Sequence, residues 1–165
     1  MAATVEIHVY TAGPVDEGAK TGIAFLSIDS GDFDLGTRQA NKIVAGTRSY
    51  EKWIKAVVGA TPPANWLNDF HIWGDGAVMA NTTLFIGFTA AWANPTNDTS
   101  DVAVGDFTAY VVGAKGNWHT AGGGDANLVN PGDATKYCVL QLAVGAGHPG
   151  GSWTQEAIFY DYTEA

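Results

Sequence analysis

The segment Tyr137-Cys138-Val139-Leu140-Gln141-Leu142-Ala143-Val144 is apolar on both of its alternating sets of positions. Successive side chains of an extended strand point to opposite faces, so Cys138, Leu140, Leu142 and Val144 share one side. Tyr137, Val139 and Ala143 share the other, where Gln141 is the single polar interruption. A strand of this kind needs cover on both faces. The following segment, 153–162, sets Ile158, Tyr160 and Tyr162 against Gln155 and Asp161 and reads as a half-buried neighbour. The expectation is a C-terminal strand pair near the middle of a β-sandwich.

Upstream, the same alternation recurs in short runs. Residues 4–10 place Val5, Ile7 and Val9 inward and Glu6, His8 and Tyr10 outward, and Ala12-Gly13-Pro14 stops the run. Residues 23–28 are apolar on both faces apart from Ser27, which predicts a second, more buried strand. Residues 68–73, 82–90 and 107–112 each read as a strand, the first ending in the turn signal Gly74-Asp75-Gly76. Residues 42–58 fit two periods. Tyr50, Trp53, Ile54, Val57 and Val58 match helical spacing, yet the apolar content is mostly β-branched and aromatic, and Gly59 with Pro62-Pro63 cuts the run short. A strand is expected there.

A polar loop of about a dozen residues, longer than most connections, is expected between Asn94 and Asp106. Residues 113–133, with Gly122-Gly123-Gly124 and the turn Asn130-Pro131-Gly132-Asp133, give no clear element. Seven or eight short strands separated by turn residues predict an all-β fold, a two-sheet antiparallel sandwich of jelly-roll or immunoglobulin-like topology, in one domain spanning 1–165. A chain of 165 residues buries roughly 70% of its unfolded surface and needs no covalent staple. The one cysteine, Cys138, rules out an intramolecular disulfide and sits where a thiol serves as a small core residue.

The N-terminus has neither a basic nor an apolar leader segment, and no run is long enough for a membrane helix, so a soluble chain is expected. A net charge of −9 and a pI near 4.6 argue against nucleic acid and anionic membranes as partners. The charge is uneven. Residues 38–55 hold Arg38, Lys42, Arg48, Lys52 and Lys55 against Glu51 alone, which makes either a solvated strand face or a docking patch for an acidic partner.

No catalytic or metal motif emerges. His8, His71, His119 and His148 are isolated, and Gly150-Gly151-Ser152-Trp153 is not a nucleophile elbow because threonine follows where glycine is required. Asp29, Asp32 and Asp34, and Asp98, Asp101 and Asp106, lack the regular spacing of an EF-hand and read as turn-capping groups, so no cofactor or metal is expected. Asn81-Thr82-Thr83 and Asn97-Asp98-Thr99 match the glycosylation sequon but, without a leader, read as coincidence. Trp53 and Trp73 fall in strands and are expected in the core. Trp66, Trp92, Trp118 and Trp153 fall in or beside loops; each can plug an open end of the sandwich, and Trp92, Trp118 and Trp153 are the candidates for stacking on a ligand such as a sugar ring.

Taken in order, residues 49–58, 68–77 (Asn68-Asp69-Phe70-His71-Ile72-Trp73-Gly74-Asp75-Gly76-Ala77), 82–87, Asn94-Pro95-Thr96-Asn97 with Asp106-Phe107-Thr108, and 137–144 resemble a group of small β-rich structural proteins of tailed bacteriophages. The similarity runs from about Val5 to Tyr162 and carries no catalytic residues. It implies a non-enzymatic virion protein, made in the host cytoplasm. The resemblance leaves head, tail and fibre open; the leading expectation is a capsid-surface decoration protein that docks by a sheet edge or by the basic region 38–55 on the major capsid protein or another virion protein and forms a homo-oligomer, with a trimer favoured. Alternatives are a tail or fibre component and a carbohydrate-binding module.

Overall fold

In the computed structural model, which describes residues 2–32, 34–76, 80–148 and 157–165, the chain forms two antiparallel sheets. The strands are β1 (Val5–Thr11), β2 (Val15–Ala19), β3 (Lys52–Val58), β4 (Leu67–Gly74), β5 (Thr82–Thr89), β6 (Gly105–Asp106), β7 (Gly116–His119), β8 (Tyr137–Val144) and β9 (Ile158–Glu164), with one short helix, α1 (Leu35–Ala40). The six-stranded sheet runs β2-β1-β3-β8-β5-β6 and the three-stranded sheet β7-β4-β9. The all-β sandwich expected from the alternation is the observed architecture.

The core lies between the sheets. Val9, Ile54, Ala56, Leu84, Ile86, Cys138, Leu140 and Leu142 from the large sheet meet Phe70, Ile72 and Trp118 from the small one. β8 occupies the interior of its sheet, in register with β3 (Trp53 opposite Val139) and with β5 (Ile86 opposite Leu140). β3 settles the competition between periods in favour of a strand, because alternate side chains from its length are buried on both faces.

The second face of β8 is covered by the chain itself. Trp53, Tyr137, Val139 and Ala103 form a second apolar cluster, closed by Trp92, Val102, Phe85 and Tyr10. The long loop expected after Asn94 is laid across this face and held by Gln141. The amide nitrogen of Gln141 donates toward the carbonyls of Ser49, Thr96 and Asp98 at 3.1, 3.2 and 2.7 Å, and its oxygen accepts from Arg48 Nη1 at 3.1 Å and from the Ser100 amide at 3.3 Å. Buried Glu51 adds a second clamp, its carboxylate accepting from Trp53 Nε1 and the Thr96 amide. The loop comes so close to the sheet that a Cβ at Gly87 would stand 1.8 Å from the carbonyl oxygen of Val102.

Several expectations need correction. Residues 23–28 are no strand: Ala24 and Leu26 are buried and Ile23 and Phe25 pack against the core, but the segment covers the sandwich without joining a ladder. The strand that follows β1 is instead β2, whose Val-Asp-Glu-Gly-Ala sequence has no apolar alternation because it is an exposed edge. Residues 107–112 are not a strand either. Asp106 accepts from the amide and hydroxyl of Thr108 and caps a 3₁₀ turn over Phe107–Ala109, leaving only Gly105–Asp106 as β6. The C-terminal pair does not stay together: β8 lies between β3 and β5, whereas β9 pairs with β4 in the other sheet. Trp53 is fully buried as expected, but Trp73 is half-buried on the outer face of β4.

Two substitutions test the cover over β8. Gly87→Ala forces its methyl group into the Val102 carbonyl and is expected to lower stability by about 3 kcal/mol, as overpacking does. Gln141→Leu keeps the volume but leaves carbonyls, an amide and a guanidinium facing an apolar side chain, at a cost of about 3 kcal/mol. Urea unfolding of each variant measures the loss, and an unchanged midpoint for Gln141→Leu would remove the glutamine from its structural role.

Candidate docking surface

The five basic residues of 38–55 do not form one patch. Arg38 lies on α1, whose N-terminus is capped by Asp34 through the Thr37 amide and whose C-terminus is closed by Asn41. None of the helix residues is buried. Lys42 follows in an exposed position, Ile43 packs against the core, and Leu35 and Val44 are 60% and 68% exposed. The Gly46 amide then donates to the carbonyl of Val144 and returns the chain to the end of β8. Residues 35–46 thus form a strap held at its middle, where the Ser27 amide donates to the Asn41 carbonyl, and at its C-terminal end by Gly46.

Arg48 is half-buried, with its guanidinium 4.8 Å from the ring centre of Phe85 and hydrogen-bonded to Gln141. Beside it opens a polar cleft of about 360 Å³ lined by Gly46, Thr47, Arg48, Asn97, Asp98 and Thr99. Lys55 points from the outer face of β3 onto the ring of Tyr137 at 4.1 Å, and burial lowers its pKa. Lys52 is a correction: it is only 2% exposed, with Nζ donating to the Ser30 carbonyl at 2.6 Å. Burial pulls its pKa down to about 8, against a smaller opposing pull from the nearby Asp29 carboxylate. It takes no part in a surface.

The tryptophan candidates divide similarly. Trp118 is fully buried, its Nε1 donating to the Lys136 carbonyl at 2.8 Å, so it cannot stack on a ligand. Trp92 is half-buried with its ring against Trp53 at 5.0 Å and Tyr137 at 5.4 Å, closing the second apolar cluster. Trp153 lies outside the described residues. The aromatic pair that does reach solvent was not singled out from the sequence: Trp73 stacks with Phe159 at 5.8 Å across β4 and β9, with Lys115 over the indole. The cross-strand register that brings them together is invisible in a linear reading.

The remaining polar groups mostly fold the backbone. Asp29 accepts from the Ala12 amide, and Asp34 and Asp106 cap helical turns. His8 contacts Asp16 and Glu6, His71 contacts Asp161, and His119 holds the Ala126 carbonyl and the Lys136 amide on its two ring nitrogens. Burial pushes the Cys138 thiol up, away from the reactive thiolate. Among the described residues no cluster of three or more His, Cys, Asp or Glu side chains is placed to hold a metal ion, and no helix is long and apolar enough to cross a membrane. Comparison with protein-family models, curated proteins and solved structures gives no match for this chain.

Lys52 makes a pH prediction. Its folded pKa of about 8 lies below the ordinary 10.5, so between these values the unfolded chain binds a proton that the folded one does not. Stability from this group therefore rises with pH through that window, by about 3 kcal/mol at most, and the penalty is at its full size below it. Cys138 acts in the opposite sense above pH 9, but it cancels when wild type and Lys52→Met are compared. Unfolding free energies of the two chains across pH 7 to 10 are expected to converge or cross as wild type gains, and parallel curves would contradict the assignment.

Proposed function

We propose that this chain is a non-enzymatic structural protein of a virion, docked on the outside of the capsid as a decoration protein. The observation that carries the reading is the strap at 35–46. It offers Arg38 and Lys42 together with exposed Leu35 and Val44, and no acid interrupts it, on a chain whose net charge is −9. A cationic, partly apolar projection on an acidic body suits a complementary acidic protein surface: the charges steer and orient the encounter, and the apolar side chains supply burial.

The rest of the molecule suits a rigid surface element. Its single thiol is buried and its sandwich is closed on both faces of β8 by its own chain, so neither redox state nor a missing partner leaves the core open. The partner in this reading is the major capsid protein or another virion protein, and the assembly is a homo-oligomer, a trimer about a lattice axis.

Mass spectrometry of purified particles tests the role, with the chain expected as a stoichiometric component. The double variant Arg38→Glu/Lys42→Glu, added to particles that lack the native chain, is expected to lose at least about tenfold in retention on co-sedimentation while its melting stays unchanged. Particles without the chain, or a double variant retained as well as wild type, would refute the role or the docking strap respectively.

A further inference from the structure

We infer that the cleft beside Arg48 is a carboxylate site, which takes an aspartate or glutamate side chain of the docked partner. The inference rests on the docking reading for the partner's identity, though the site's chemistry stands on its own geometry. Arg48 is held from two sides. Gln141, which is fully buried, accepts one N–H at 3.1 Å, and the Phe85 ring supports the guanidinium at 4.8 Å. A guanidinium carries five N–H donors in a planar fork, so the hydrogen bond to Gln141 leaves four.

Those four have no anion. Among the described residues no carboxylate lies within ion-pairing distance of Arg48, in a chain with 17 acidic side chains. Asp98 lines the same cleft, its carbonyl accepting from Gln141 and its amide donating to Thr96 Oγ1, and its carboxylate makes no ion pair with Arg48. A half-buried cation with no counter-ion is costly unless something supplies one, and a pre-oriented fork favours a planar, bidentate carboxylate over a point charge. The cleft is also lined by Asn97 and Thr99, whose side chains carry N–H and O–H donors suited to the remaining lone pairs of such a group, whereas the Thr47 hydroxyl already donates to the Val44 carbonyl at 2.6 Å.

Position supports the same occupant. Gly46, the last residue of the strap, and Thr47 after it both line the cleft, so a partner lying on Arg38, Lys42 and Val44 would continue onto Arg48. Arginine in a desolvated pocket at an interface commonly carries a large share of the binding energy. The acid-poor strap then steers, and Arg48 anchors.

The test titrates the full chain with a capped triglutamate peptide, following the Arg48 side-chain Nε resonance and the backbone amides of 46–48 and 97–99 by NMR. A saturable shift at these positions is expected, absent with the matching triglutamine peptide. Arg48→Lys, which keeps the charge and loses the fork, should weaken the response by about tenfold. Arg38→Glu/Lys42→Glu should leave the local shift in place. Equal responses to both peptides, an equal response to inorganic phosphate, or indifference to Arg48→Lys would overturn the carboxylate assignment. Particle binding separates the two readings. If the strap variant abolishes retention while Arg48→Lys preserves it, the docking role stands and this inference falls. If the chain is absent from particles yet the peptide titration succeeds, the carboxylate site stands and the virion role falls.

Discussion

One buried amide organises the outer half of this molecule. Gln141 sits in the middle of an otherwise apolar strand, and burying its side chain without partners would be strongly unfavourable. The structure resolves this by bringing the chain to the amide: Ser49, Thr96, Asp98, Ser100 and Arg48 all meet it. The glutamine therefore sets where the segment before β3 and the long loop after β5 must lie. In a low-dielectric setting a network of this kind is stabilising only while it is complete, so the loop is held to one conformation instead of many.

The covering of β8 follows from that constraint. With the loop pinned at Thr96, Asp98 and Ser100, residues Val102 and Ala103 are drawn across the outer face and can approach only because position 87 lacks a side chain. Trp92 then closes over Trp53 and Tyr137. The sandwich core holds one face of the central strand, and a polar hub with an aromatic lid holds the other. Lys55, on the outer face of β3, lies on the aromatic ring of Tyr137, where the π face partly replaces the water that burial removes.

The sequence made some of this legible and hid the rest for identifiable reasons. β1, β4 and β5 were readable because each buries one face more than the other and so alternates, and the double-sided burial of β3 and β8 was visible as near-continuous apolar runs. β2 and β7 were hidden because short or edge strands gain their place from backbone pairing, which leaves little pattern in the side chains. α1 was missed since none of its residues is buried, and residues 23–28 misled because cover over a core is as apolar as a strand within it. Trp118 read as a loop residue in a glycine-rich stretch, able to plug an end of the sandwich or to stack on a ligand, yet β7 carries it into the core beside Phe70.

The basic stretch shows the same limit in electrostatic terms. Five cations within eighteen residues looked like one field, but a strand alternates its sides and a loop can bury what precedes it. Lys52 and Lys55 are neighbours of the same strand that end in different environments, one on the Ser30 carbonyl and one on an aromatic ring. Arg48, just outside the strand, is turned toward Gln141, and only the residues that leave the sheet, Arg38 and Lys42, keep their charge in solvent. The charge this stretch leaves in solvent is therefore set by where the ladder begins, because hydrogen-bonded register fixes side-chain direction inside the strand and releases it outside. Displacing the start of β3 by one residue would exchange the faces of Lys52 and Lys55 and disturb Arg48. The strap and the cleft are thus tied to the same register that sets Lys52 opposite Leu140, next to Gln141, and the exposed surface of this fold is a consequence of how its central strands pair.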